Sequence, residues 1–188
     1  MESLRLFAAI HIVPDESFLM TFDGLKQALD YNIIKWVDPN NIHITLRFFG
    51  ETFPDEIPVI SKALAIAGQS VEPFSVTLAK TGIFGSKYDP KVIWFGINEN
   101  PALKSLHANI VKSLEEAEYF GDRQNFVPHL TIGRIKEIKD KRFFQAIMDR
   151  FTDVKLLSCN VKEFSLYKSE LKKEGPIHTV LETFELGA

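Results

Sequence analysis

The sequence predicts an α+β fold: two pseudo-symmetric lobes of antiparallel β-sheet with outer helices, closing on a central cleft to which each lobe gives one His-x-Thr motif. Three observations predict it. The form His-apolar-Thr-apolar occurs twice, as His43-Ile44-Thr45-Leu46 and as His129-Leu130-Thr131-Ile132. The two copies lie 86 residues apart, and the apolar patterns around them recur in the same order. Strand-like and helix-like runs alternate, yet no Gly-rich phosphate loop follows any strand, which argues against a doubly wound sheet. A single bilobal domain over residues 1–188 is expected, with an internal repeat offset of about 86 residues.

Leu4–Ile12 is apolar, of strand length, and stops before Pro14. Asp15 or Ser17 can cap the helix that follows, where Phe18, Leu19, Phe22, Leu25 and Leu29 keep helical spacing to about Tyr31. Asp38-Pro39-Asn40-Asn41 is a turn, and Ile42–Phe49 is the first motif strand, ended by Gly50. Pro54-Asp55-Glu56 opens a second helix through Ile57, Ile60 and Leu64 to Ile66 or Ala67. Phe74–Ala79 alternates as a strand, Gly82–Pro90 reads as a loop, and Val92–Ile97 as a buried strand. Pro101 starts a third helix ending near Tyr119, and Gly121–Pro128 loops into the second motif strand, Leu130–Ile135. Lys139–Phe151 is a fourth helix. Asp153–Cys159 and Val161–Tyr167 are strands, Ser169–Gly175 is a charged connection, and Ile177–Leu186 closes the chain as a strand.

A shift of 86 carries the helix near Ser17–Leu29 onto the one near Leu103–Glu115, and Ile57–Ala67 onto Phe143–Asp153. It also carries Pro90 onto Pro176 and Val92–Ile97 onto the neighbourhood of His178–Thr183.

Composition narrows the function classes. A net charge of −3 and a pI near 6.0 leave no global basic footprint, so any nucleic-acid substrate must be met by a local cleft. The 16 Phe residues point to an aromatic core. Cys159 is the single cysteine, which excludes an intramolecular disulfide and a thiolate metal cage, and it reads as a packed thiol. No apolar run approaches the roughly 18 residues of a membrane span, and the N-terminus has no signal-peptide pattern. A soluble, cytoplasmic monomer with no membrane partner is expected.

The paired motif carries the chemistry. On a strand, His and Thr two residues apart point the same way. Two such strands facing each other offer two imidazoles for proton transfer near neutral pH and two hydroxyls for the oxygens of a small anion. That set suits in-line displacement at phosphorus without a metal, a cofactor or a covalent intermediate. Two His with no evident third ligand make a poor zinc site, so no metal and no cofactor are expected.

These residues are similar to the two-histidine phosphoesterase superfamily, and within it to the RNA 2′,3′-cyclic phosphodiesterases related to 2′-5′ RNA ligases. The resemblance rests on Arg5-Leu6-Phe7-Ala8, His43 to Gly50, Val92 to Gly96, Pro128 to Arg134, Leu166 to Leu171, and Gly175-Pro176-Ile177. It implies that His43 and His129 are catalytic, with His129 as the base, and that Thr45 and Thr131 bind phosphate. It further implies that Arg134 pairs with the phosphate and that Phe48 stacks on a base. The implied substrate is RNA with a 2′,3′-cyclic phosphate end, or a small cyclic nucleotide, opened to a 2′-phosphate; 2′-5′ ligation is the reverse activity. The alternative from another class is a non-catalytic module that binds RNA ends or phosphorylated nucleotides.

Strict alternation opposes part of this assignment. It puts Arg47 on the face of His43 and Thr45, and it puts Phe48 and Arg134 on the other faces. A bulge just past each Thr resolves the conflict, and Gly133 eases it in the second copy. His11 and His107 read as structural or exposed, Trp94 as core or, alternatively, cleft wall, and His178, near the repeat position of Val92, as outside the site or at the border of the cleft. Lys80, Lys87, Tyr88 and Lys168 are surface groups that would guide RNA only together.

Overall fold

A computed structural model describes residues 2–86, 88–120, 125–172 and 175–187. Lys87, part of the Gly121–Pro128 loop and part of the Ser169–Gly175 connection lie outside the described residues. The strands are β1 (Leu4–His11), β2 (Ile33–Trp36), β3 (His43–Thr52), β4 (Phe74–Gly85), β5 (Pro90–Ile97), β6 (His129–Glu137), β7 (Lys155–Val161), β8 (Glu163–Leu171) and β9 (Pro176–Glu185). The helices are α1 (Glu16–Ala28), α2 (Ile57–Gln69), α3 (Pro101–Glu116) and α4 (Lys141–Arg150).

Three helix starts are fixed by side-chain caps that satisfy otherwise orphaned amides. The Asp15 carboxylate accepts from the Phe18 amide at 2.7 Å, Asn100 Oδ1 from Leu103 at 2.9 Å, and Asp140 from both Arg142 and Phe143. No side chain caps α2, which has Pro58 in its first turn. Among the described residues, no helix is long and apolar enough to cross a membrane.

All strands belong to one antiparallel sheet in the order β7-β4-β5-β6-β3-β1-β8-β9, with β2 pairing separately with β6. Reading outward from the β6–β3 junction, β3-β1-β8-β9 mirrors β6-β5-β4-β7. The 86-residue shift carries β1 onto β5, β3 onto β6 and β4 onto β8, with α1 onto α3 and α2 onto α4. The two halves of the chain therefore interleave: β4 of the first half lies beside β5, and β8 of the second lies beside β1. One expected correspondence fails. Val92–Ile97 is the counterpart of β1 and not of the segment around His178, because β9 joins by a hairpin to β8 while its opposite number, β7, returns from α4 to the edge of β4.

Two elements differ from the sequence expectation. β2 lies where the sequence shows only a linker, since four residues are too few to show a period. β4 runs on through the expected Gly82–Pro90 loop to Gly85. It does so past a bulge at which Lys80 takes φ 70, and Ser86 and Asp89 exchange backbone hydrogen bonds just before β5. Gly82 belongs to this extension because the Trp94 ring lies where a Cβ would stand. One continuous core joins Ile44, Leu46, Leu130 and Ile132 of the motif strands to Phe18, Ile60, Leu106 and Phe144 of the helices. The opposite face of the sheet is left to line the cleft.

Candidate active site

β3 and β6 pair through Ile44 and Leu130, the residues between His and Thr in each motif. Continuing that antiparallel register by one residue brings His43 toward Thr131 and Thr45 toward His129. Ile44 and Leu130 are fully buried on the helix side, so alternation turns both imidazoles and both hydroxyls to the other face. All four line one cleft of about 810 Å³, a size suited to a small ligand.

Just past each Thr the strand carries one extra residue. In β3, Thr45 is opposite Ala9 and Arg47 opposite Ala8, which leaves Leu46 without a partner on β1. In β6, Thr131 is opposite Trp94 and Gly133 opposite Ile93, which leaves out Ile132. Neighbouring residues of the partner strand point to opposite faces, so Arg47 leaves the cleft face while Phe48 and Arg134 join it. Phe48, 51% exposed, and Arg134 both line the cleft. Arg47 lies on the α3 side, where its charge acts on His107 and Tyr119. Gly133 does more than ease the bulge: a Cβ there would stand 3.0 Å from Ile34 and 3.1 Å from Trp36, so β2 can lie against β6 because this residue is glycine.

The two imidazoles are held alike. His43 Nδ1 donates to the Asn41 carbonyl and His129 Nδ1 to the Val127 carbonyl, each at 2.7 Å and each two residues back. Both rings then present Nε2 as the nitrogen that can take up a proton. Burial pushes the His43 pKa down to about 4, against the raising effect of its bond to Asn41. Burial lowers His129 as well, with Arg134 adding to the effect. Lowered in this way, both rings are neutral near pH 7.

Their surroundings differ. His43 lies 4.9 Å from the Phe7 ring and 5.2 Å from His178, and Phe7 stacks on Tyr167 at 5.1 Å. His129 meets the Phe84 ring edge-on at 4.7 Å. Of the two places the sequence allowed His178, the structure has it in the cleft, 4.9 Å from Phe7 and lowered in pKa by burial. The sequence left its place open because β9 reaches the cleft only by pairing with β8.

A profile of the 2′-5′ RNA ligase superfamily matches residues 14–173. The chain is 33% identical over 169 residues to an RNA 2′,3′-cyclic phosphodiesterase of Aquifex aeolicus, covering 88% of this chain and 89% of that protein. It is 32% identical over 158 residues to one of Methanothermobacter thermautotrophicus, covering 81% and 83%. Among solved structures, TT0787 of Thermus thermophilus superposes with a TM-score of 0.79 at 29% identity, over 97% of each chain. The chain belongs to the 2′-5′ RNA ligase superfamily.

As a member of this superfamily of two-histidine phosphoesterases, the chain has a site whose charge is local. Arg5, Lys26, Lys35, Arg134, Lys136 and Lys172 line the cleft, while Asp38 is the sole carboxylate among its described lining residues. Asp38 is itself engaged, accepting from the amide and side chain of Asn40. A chain of net charge −3 thus has a cationic cleft, as an anionic substrate requires. The residues expected to guide RNA are not the ones found there. Lys80, Tyr88 and Lys168 are absent from the lining, Lys168 lies 3.5 Å from Glu170, and Lys87 is outside the described residues. Trp94 is half-buried and shares the face of its partner Thr131, packed on Phe84 at 5.4 Å. His11 bonds the Asn40 carbonyl, and His107 stacks on Phe126 at 4.0 Å, both in structural roles. Burial raises the Cys159 thiol pKa, as expected of a packed thiol.

Proposed function

We propose that the chain opens the terminal 2′,3′-cyclic phosphate of RNA to a 2′-phosphate by paired-His acid–base catalysis, acting as one bilobal domain. The carrying observation is the β3–β6 junction, where two imidazoles with Nε2 available and two threonine hydroxyls line one cationic cleft. The relatives' activity, named for the same bond, supports the reading.

In this mechanism His129 Nε2 takes a proton from water as the water oxygen attacks phosphorus. The bond from phosphorus to O3′ breaks, and O3′ receives the proton of His43 Nε2. His129 suits the first role because it is the more open of the two to solvent. His43, enclosed by Phe7 and His178, receives its proton when the phosphate anion enters, since a negative charge beside an imidazole raises its pKa. Thr45 and Thr131 donate to the non-bridging oxygens, where charge builds. Arg134 pairs with the phosphate and Phe48 stacks on the terminal base.

The test is product analysis on an RNA ending in 2′,3′-cyclic phosphate, with and without excess chelator. The expected product is the 2′-phosphate, at an unchanged rate in chelator. A 3′-phosphate would reverse the orientation of the substrate, and a chelator loss restored by zinc would require a metal. Tight binding without turnover would make the protein an RNA-end binding module.

A further inference from the structure

The cations of the cleft are unevenly placed. Four of the six stand together on one wall, built by β2, β6 and α1. Lys35 is directly opposite Arg134 across the β2–β6 pair, Lys136 follows two residues on, and Lys26 comes from α1. Four positive side chains on one wall together attract an anion. Its frame is packed: Trp36 lies on Gly133 and edge-on against Phe22 at 5.7 Å, and the Lys26 ammonium lies 5.4 Å from the centre of the Phe22 ring and 3.9 Å from Asp23. The equivalent wall of the other half is different. The 86-residue shift relates Arg134 to Phe48 and Lys136 to Gly50, so an aromatic surface stands where the second half has charge.

The motif residues alone treat the two directions through the cleft alike, and one phosphate needs only the central groups. We propose that the β2–β6 wall is a second anion subsite, which binds the internucleotide phosphate on the 5′ side of the terminal nucleotide. The terminal base then lies toward Phe48 and the strand leaves over Lys35, Lys136 and Lys26. In this reading the cleft is built for an RNA strand of at least two nucleotides and not for a cyclic mononucleotide. The proposal rests on the hydrolytic function above and adds to it a substrate length and a direction.

The test compares a 2′,3′-cyclic mononucleotide with di- and tetranucleotides ending in the same cyclic phosphate, for wild type and for Lys26→Ala/Lys136→Ala. In the wild type the main rise in kcat/KM is expected from one nucleotide to two. The double variant should lower the tetranucleotide-to-mononucleotide ratio of kcat/KM about 3- to 20-fold, from two partly exposed charge contacts. Affinity for a tetranucleotide ending in 2′-phosphate, read by fluorescence anisotropy, does not depend on turnover. Its log–log salt slope should be shallower by about 0.7 in the variant, the value for one single-strand phosphate contact. Equal wild-type rates at all lengths, or an unchanged ratio and salt slope in the variant, would overturn the subsite. Absence of hydrolysis with the slope change intact would overturn the hydrolytic function and leave the subsite standing.

Discussion

The half of the site built on β3 and the half built on β6 agree up to the residue after threonine and then part. Each begins with an imidazole tied through Nδ1 to the carbonyl two residues back, continues with a hydroxyl on the same face, and then bulges. Past the bulge the equivalent position is Phe48 in one half and Arg134 in the other. The imidazoles also sit differently: His43 is enclosed by Phe7 and His178, while His129 has Phe84 at its edge and Arg134 nearby. The shared part suits a phosphate, a nearly symmetric group. The divergent part suits a nucleotide, which has a base on one side and a chain on the other.

The sharpest way to break this comparison is to separate the two imidazoles chemically. His43→Ala and His129→Ala should each lower kcat about 10²–10⁴-fold on the natural substrate, the usual range for a general acid or base. On a substrate whose bridging 3′ oxygen is replaced by sulfur, the leaving group needs no proton. His43→Ala should then recover most of its loss and His129→Ala should not. Recovery in His129→Ala instead would exchange the two roles.

The divergent position comes next. Arg134→Gln should cost about 1.5–3 kcal/mol in transition-state binding, roughly 10- to 150-fold in kcat/KM, as expected for a hydrogen bond to a charged group. Phe48→Ala should cost about 1–2 kcal/mol, roughly 5- to 30-fold and mainly in KM, and should cost nothing on an RNA with an abasic terminal nucleotide. Equal sensitivity of both variants to the missing base would contradict the division of labour between the halves.

Thr45→Val and Thr131→Val test the shared part. Each removes a neutral donor worth about 0.5–1.5 kcal/mol, roughly 2- to 12-fold in rate, and the two losses should be similar. A large inequality would show that the phosphate sits off the axis between the motifs.

A further effect, on stability and not on rate, comes from the buried imidazole of His43. The folded His43 pKa of about 4 lies below the usual value of 6.5, so the unfolded chain binds more protons between those limits. Its contribution is fully present above pH 6.5 and is lost as the pH falls toward 4. His43→Gln should flatten the acid side of the stability curve, measured by urea unfolding from pH 7 to pH 4. An unchanged slope would mean that the buried imidazole is not what the acid limb reports.

Much of this site was legible from local pattern. The motif strands and the facing of His and Thr follow from a period of two and a repeated order, while the need for a bulge after each threonine came from setting that period against the resemblance, which implies that Phe48 and Arg134 serve the cleft. β2 was not legible, because four residues carry no period. The reach of β4 past Ala79 was not legible either, since Gly82 and Gly85 resemble loop punctuation until the Trp94 ring is seen to need the space of one of them. His178, Arg5, Lys26, Lys35, Lys136 and Lys172 join the cleft from segments far apart in the chain, and no spacing rule links them.

The amino-acid sequence by itself determined the two imidazoles, the two hydroxyls and the strands that carry them, because strand alternation acts within a few residues. Tertiary structure alone decided that Ile44 meets Leu130, that the halves interleave, and that four of the six cleft cations share the wall built by β2, β6 and α1. Those outcomes depend on which strand edges pair and which glycines admit a neighbouring ring. Such contacts join residues tens of positions apart, where local periodicity carries no information.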